Sequence, residues 1–407
     1  MSVNYKKDFP FFNKNKNWVY LDSAATCLKP NVVIEAVLDY YTNYSTNPHN
    51  FDSKIGYKTN SIIEETRTLT QKLINAKNVK EIIFTPGTTF SINQMALGLV
   101  DLLSADDEIV LTYHEHAANI LPWYEMVKQK KANIKYLEYK DNEIDINSIE
   151  NVVNKNTKFV SIAHITNVFG YQNNIKKIVK KIRSISKDII IGIDAAQSAG
   201  HAIIDVQDWD IDFLVFSGHK IYGPTGIGVL WVKENLITKI KPILLGGSMG
   251  NNVCVNSLSY EAKNFPHNLE GGTPNVAGIF GLNAALKYMM KIGVENIYKH
   301  ESEIRNYAIK KFETVLKEKV IIHNKNAHGT TLVFSIKGVN SHDATSHLGH
   351  INNIVMRSGE HCAKILKNRI GDEKMIRASF ALYSSKEDVD ILVDAIKNEN
   401  DYLGDIF

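Results

Sequence analysis

From about residue 60 to residue 290 the chain alternates short apolar runs with segments of helical spacing, and this rhythm restricts the possible folds more than any other feature. Lys158-Phe159-Val160-Ser161-Ile162 and Ile189-Ile190-Ile191-Gly192-Ile193 are apolar without alternation, which predicts strands buried on both faces. Glu81-Ile82-Ile83-Phe84, Glu108-Ile109-Val110-Leu111, Asp212 to Phe216 and Gly228 to Val232 read as further strands. Helical spacing runs from Thr89 through Val100, from about Asn119 to Lys131, and from Ile175 to Ile185. Strands and helices in turn are the signature of an α/β fold, a mostly parallel central sheet flanked by helices.

After Gly293 the pattern changes. A helix from Val294 to Leu316 precedes strand signals at Thr331 to Ile336, Ile354 to Met356 and Ile376 to Leu382, which predicts a smaller α+β domain. The expected division is residues 21–290 as a large domain, with residues 1–20 and 291–407 forming the small one. A chain of 407 residues can bury cores of this size. The 47 basic and 44 acidic residues nearly cancel, which gives no electrostatic case for a nucleic-acid or membrane partner. No apolar stretch reaches the length of a membrane span. The three cysteines, Cys27, Cys254 and Cys362, are too few and too scattered for a disulfide framework. A reducing, cytoplasmic setting is expected, unless a targeting peptide has been trimmed away.

Lys220 follows the Asp212 to Phe216 run in Ser217-Gly218-His219-Lys220, and Gly223-Pro224 with Gly226 forces a turn just beyond it. A lysine held at a strand end can form a Schiff base with an aldehyde cofactor; the alternative is an ordinary solvated lysine. Asp194 closes the Ile189 to Ile193 run, where the carboxyl ends of parallel strands meet ligands. It can pair with the protonated ring nitrogen of pyridoxal phosphate or cap a helix. Gly87-Thr88-Thr89, between a strand and a helix, offers backbone N–H groups and two hydroxyls to a phosphate, or an N-cap alone. His116 can lie on the face of a flat ring and move protons. A metal reading of His114-x-His116 finds no cysteine or third histidine at suitable spacing, so no metal site is expected.

Cys362 lies in Arg357-Ser358-Gly359-Glu360-His361-Cys362-Ala363, a polar loop in which exposure and nearby cations favour a reactive thiolate. Arg357 and His361 are the local candidates for that positive charge, with Glu360 opposing them. Arg377, on a short strand, is either a bidentate partner for a substrate carboxylate or a structural ion pair. Phosphate seat, ring face, ring nitrogen and aldehyde anchor thus all fall at strand ends, and together they are what pyridoxal 5'-phosphate needs.

With these residues in place, the chain resembles the class V, fold-type I pyridoxal-phosphate enzymes, and within them the SufS-like (group II) cysteine desulfurases. The matching stretches include Leu21-Asp22-Ser23-Ala24-Ala25-Thr26, Glu115-His116-Ala117-Ala118-Asn119, Ser217-Gly218-His219-Lys220 and Gly272-Thr273-Pro274-Asn275. Arg377-Ala378-Ser379 and the Arg-x-Gly-x-His-Cys-Ala pattern ending at Ala363 complete them. That last pattern separates desulfurases of this group from kynureninase-like and phosphoserine-aminotransferase-like relatives. The resemblance implies a fold-type I PLP-dependent transferase in which Lys220 binds the cofactor and takes the Cα proton. Asp194 and Gln197 would hold the ring nitrogen and phenolic oxygen, with His116 stacked on the ring. Thr88, Thr89, Ser217 and His219 would hold the phosphate, joined by Thr273 from the neighbouring subunit of a homodimer. Asn167, Arg377, Arg357 and His49 would orient L-cysteine. Cys362 would take its sulfur as a persulfide and release L-alanine, for iron–sulfur cluster assembly. A SufU-like or SufE-like acceptor is implied as well, with His342 as a transient zinc ligand in the SufU case. Two departures stand out: Glu360 replaces a histidine common in relatives, and Pro48 to Gly56 matches poorly. Selenocysteine lyase and class V aminotransferase activities remain open alternatives.

Overall fold

A computed structural model describes residues 4–48, 50–366, 375–399 and 401–402. Seven strands form the central sheet: β1 (Ile82–Thr85), β2 (Glu108–Thr112), β3 (Asn133–Leu137), β4 (Thr157–Ala163), β5 (Ile190–Asp194), β6 (Phe213–Ser217) and β7 (Gly228–Val232). Their spatial order is β1-β7-β6-β5-β4-β2-β3. Only β7 runs against its neighbours, pairing antiparallel with both β1 and β6, so the sheet is mostly parallel. β2, β6 and β7 are buried at every position, as unalternating apolar sequence requires. Gly192 in β5 is a packing necessity, since a Cβ there would lie 1.8 Å from the Phe213 ring on the adjacent strand.

The helices cover this sheet by their apolar stripes. In Ile175–Ile185 the buried residues are Ile175, Ile178, Val179 and Ile182, spaced as one helical face, while the lysines between them point outward. Asn174 caps that helix by accepting the Lys177 N–H. Edge strand β3 is invisible to the apolar-run criterion because Asn133 and Lys135 are exposed. An exposed hairpin, Gly250–Cys254 with Ser259–Ala262, escaped for the same reason: almost nothing in it is buried.

A second core gathers around a four-stranded antiparallel sheet of order β8-β9-β11-β10. These strands are β8 (Val320–Ile322), β9 (Thr331–Ile336), β10 (Arg357–Gly359) and β11 (Met375–Ser379). Helices Val294–Val315, Ser341–Ile351 and Lys386–Asn398 contribute to that core. Val19 and Leu21 belong to it as well, through a short parallel ladder between Val19–Tyr20 and Ile354–Val355. Phe9 and Phe12 pack instead into the main core, against Tyr383. The N-terminal segment therefore threads both cores. Among the described residues no helix is long and apolar enough to cross a membrane.

Candidate active site

The carboxyl ends of β5 and β6, the turn after β1 and the loop after β2 converge on a cavity of about 210 Å³. Lys220, Asp194, His116 and Gln197 line it, with Thr88, Thr89, Ser217 and His219. Asn167, Arg357, His361 and Arg377 also line it, so twelve residues singled out by sequence meet in one place. The topology explains the convergence, because parallel strands deliver their carboxyl ends to one edge of a sheet.

The phosphate-type corner follows from glycine. Gly87 has φ +151° and caps helix Thr88–Gly98 with no side chain of its own. Here the Thr88 N–H donates to Ser217 Oγ at 2.9 Å, and the Ser217 hydroxyl donates to Thr88 Oγ1 at 2.9 Å. Two hydroxyls thus meet at a helix N-terminus, an electropositive seat for an anion. Close approach is required on the far side too, since a Cβ on Gly228 would lie 2.6 Å from the Gly87 Cα.

The ring-sized part of the cavity is set by Asp194, Lys220 and His116. Burial raises the Asp194 carboxyl above its usual range, opposed by the Ala196 N–H and the Lys220 charge. Burial lowers Lys220 from the usual lysine range, opposed by Asp194 and assisted by Arg377. His116 is pushed down to about 4, by burial first and then by Lys220, Arg357 and Arg377. Its Nδ1 accepts the Ala118 N–H at 3.1 Å, so the neutral ring carries its proton on Nε2. Gln197 Nε2 donates to the Ala24 carbonyl at 2.9 Å. His219 is held down to about 4 by burial and by Lys220 and Lys29.

Across the cavity lie the two arginines, opposite one another in the β10–β11 register. Arg377 donates from Nη1 to the Asn167 carbonyl at 2.6 Å and from Nη2 to Asp22 Oδ1 at 3.3 Å. Its Nε is buried without a hydrogen-bond partner, as is Asn167 Oδ1. Orphaned polar atoms at a cavity wall mark a polar ligand's seat. Arg357 Nη2 approaches Cys362 Sγ to 3.3 Å. The Cys362 carbonyl accepts the Ala117 N–H at 2.8 Å, which ties the cysteine loop to the residue after His116. His361 and Cys362 both hold positive φ, +48° and +62°, a sharp bend that turns the thiol toward Arg357.

One expectation is corrected here. His361 is not a cation beside the thiol: burial, then Arg377 and Arg357, push its imidazole down to about 3 and keep it neutral. Arg357 alone of that pair supplies charge. Thr273 is not in this cavity; it borders a separate hollow with Pro86, Gly226 and Asn275. His49 lies outside the described residues. His342 Nδ1 lies 3.0 Å from Ser358 Oγ, and its ring faces Gly359, close in sequence to the cysteine. Sequence reasoning gave no role to Asp22, which reaches Arg377 from the other end of the chain; only tertiary structure reveals that contact.

The aminotransferase class-V family model matches residues 19–392, and the chain belongs to this family. A probable cysteine desulfurase from Ureaplasma parvum is 44% identical over 394 residues, covering 97% of this chain and 96% of the relative. The apo structure of a cysteine desulfurase from Thermococcus onnurineus NA1 superimposes with a TM-score of 0.90 at 31% identity, covering 96% of each chain. The Escherichia coli cysteine desulfurase CsdA gives 0.88 at 33% identity, again over 96% of each. Within the class-V family the chain falls among the cysteine desulfurases.

Proposed function

We propose that this protein removes sulfur from L-cysteine with pyridoxal 5'-phosphate as cofactor, leaving L-alanine and a persulfide on Cys362. The observation that carries the reading is one cavity holding Lys220, Asp194 and His116, with Arg357 reaching from its wall to the Cys362 thiol. The residues fit the cofactor: a lysine amine, a buried carboxylate and a hydroxyl-lined helix N-terminus share the cavity. When bound there, pyridoxal phosphate supplies an electron sink for the substrate carbon atoms. Thr88, Thr89, Ser217 and His219 would hold its phosphate, Asp194 and Gln197 would hold its ring, and His116 would stack on that ring.

Arg377 takes the substrate carboxylate through its unpartnered Nε, Asn167 orients the substrate by accepting a donor hydrogen at its unpartnered Oδ1, and Arg357 serves both substrate and thiol. Lys220, with its basicity moderated by burial, holds or releases a proton at the substrate Cα. The Cys362 thiolate attacks the substrate sulfur; a sulfur–sulfur bond forms and the carbon–sulfur bond breaks. The carbon keeps the electron pair and gains a proton, giving alanine.

SufS-like membership, a cytoplasmic setting and a role in iron–sulfur cluster assembly belong to the same reading. So do the two-domain division and a homodimer in which Thr273 completes the neighbour's phosphate site. Exposed apolar side chains support that dimer: Leu258 is 93% and Val253 79% exposed on the hairpin. A SufU-like or SufE-like acceptor collects the sulfur, with His342, near the cysteine loop, as transient zinc ligand in the SufU case.

The test is alanine and sulfide production from L-cysteine by the wild type and Lys220→Ala, with and without each acceptor. The reading expects alanine from the wild type alone and a faster rate with one acceptor. Alanine from Lys220→Ala at the wild-type rate would overturn it.

A further inference from the structure

Behind the lysine turn lies a buried polar cluster with no task in the chemistry above. Cys27 is 1% exposed. Its N–H donates to the His219 carbonyl at 2.9 Å, and its thiol donates to the Lys220 carbonyl at 3.1 Å. Successive carbonyls of the lysine turn therefore end on one residue. The His201 imidazole, electrostatically coupled to Cys27, has its Nδ1 2.7 Å from Glu301 Oε2. Burial opposes charge on His201, yet Glu301 outweighs it and raises the imidazole to about 10, which keeps the ion pair formed.

The other Glu301 oxygen accepts the Tyr222 hydroxyl at 3.0 Å, and the Leu382 N–H donates to that hydroxyl at 3.2 Å. Tyr222 is two residues past Lys220 and has φ +65°, a conformation that a non-glycine residue keeps only where its surroundings enforce it. Glu301 and Tyr222 are fully buried and His201 is nearly so. Helix Val294–Val315, which bears Glu301, packs Ile297 into the main core and Ile304 into the second. Glu301 thus grips the far side of the lysine turn from a helix shared by the two cores.

We propose that Cys27 is a positioning residue for Lys220, holding the lysine turn from one side while the Tyr222–Glu301 bond holds it from the other. A lysine side chain is flexible along its stem, so the only part of Lys220 that the fold can fix firmly is its root. Letting that root move displaces the amine, and displacements of this kind are costly to catalysis. A sulfur atom also fills its place in the main core, which a hydroxyl would leave underpacked.

The inference rests on Lys220 being the cofactor-binding lysine, and the experiment separates the two. Wild type, Cys27→Ala, Cys27→Ser and Tyr222→Phe are loaded with pyridoxal phosphate, and the absorbance of the lysine-bound cofactor is titrated with pH. Cys27→Ala and Tyr222→Phe should each move the titration midpoint by roughly half a pH unit and lower kcat about fivefold with KM unchanged. Cys27→Ser, which keeps a donor, should restore most of the midpoint. A wild type without a lysine-dependent band sinks the underlying reading. A band whose midpoint and kcat stay put in Cys27→Ala, even with a lowered melting temperature, overturns the positioning role alone. Should Cys27→Ala fail to fold, Tyr222→Phe, which deletes one oxygen atom, decides by the same criteria.

Discussion

Glu270→Gln will destabilise this protein by about 3–5 kcal/mol, the usual cost of breaking a buried ion pair, because Arg67 then keeps only the exposed Glu64, 3.3 Å from its Nε. The side chains of Arg67 and Glu270 are 4% and 10% exposed. Arg67 reaches the carboxylate by two bonds, Nη1 to Oε1 at 2.9 Å and Nη2 to Oε2 at 2.6 Å. The Phe84 N–H donates to Oε1 at 2.7 Å, and Arg67 Nη1 also donates to the Ile82 carbonyl at 2.6 Å. Burial works against the Glu270 charge, but Arg67 and His267 outweigh it and hold the carboxyl below its usual range. Glutamine keeps one acceptor and turns an amide donor toward Nη2, so one charge-assisted bond becomes a donor–donor clash while Arg67 stays charged. Charge-assisted bonds are worth about 1.5–3 kcal/mol each, consistent with the larger estimate. At about 2 °C per kcal/mol for a long chain, thermal unfolding followed by circular dichroism should show a loss of about 6–10 °C.

The pH dependence has a definite sign. A depressed folded-state pKa gives stability that is present above the unfolded value, near 4.5 for this carboxyl, and lost as pH falls through the folded value. The gap between wild type and Glu270→Gln should therefore narrow in acid. Replacing both Arg67 and Glu270 with Met removes the poorly paired charge and should recover most of the loss. A variant within about 1 kcal/mol of wild type at neutral pH, or a gap that persists unchanged in acid, refutes the reasoning.

Five histidines are held low, His114, His116 and His219 to about 4 and His164 and His361 to about 3. Three carboxyls, Asp22, Glu115 and Asp194, are raised and oppose them. Between those histidine values and 6.5 the unfolded chain binds the extra imidazole protons, so urea midpoints should fall as pH drops below 6.5; flat midpoints down to pH 5 would contradict this. Arg377→Lys, which loses the planar fork that meets Asn167 and Asp22, should raise KM for L-cysteine about tenfold with a smaller change in kcat. An unchanged KM would remove Arg377 from the carboxylate seat. Leu258→Asp with Val253→Asp should shift the proposed homodimer toward monomer in sedimentation, and a dimer left unaltered would exclude the hairpin from the interface.

The sheet was legible because buried parallel strands leave unalternating runs such as Ile189 to Ile193, and their carboxyl ends predict where a ligand sits. Lys220, Asp194 and His116 could be named because each lies where such a run stops. Asp22 could not be placed, because its partner Arg377 is 355 positions away and no local pattern encodes that pairing. His361 was misjudged as a charge because a polar local sequence does not report burial, and this ring is only 4% exposed. Edge strand β3 and the exposed hairpin lack the apolar runs by which strands are read. Cys27 drew no reading beyond its place among three scattered cysteines, and only the fold brings it to the Lys220 carbonyl.

The central claim is that Cys362 accepts the substrate sulfur. Its most direct test is mass spectrometry of the PLP-loaded protein after one exposure to L-cysteine without reductant or acceptor. The chain should gain one sulfur atom, located on the peptide containing Cys362, and alanine should appear in equal amount. Cys362→Ala should gain none and produce little alanine. A variant that still turns L-cysteine into alanine at the wild-type rate, or a persulfide found on Cys27 or Cys254 instead, would contradict the account.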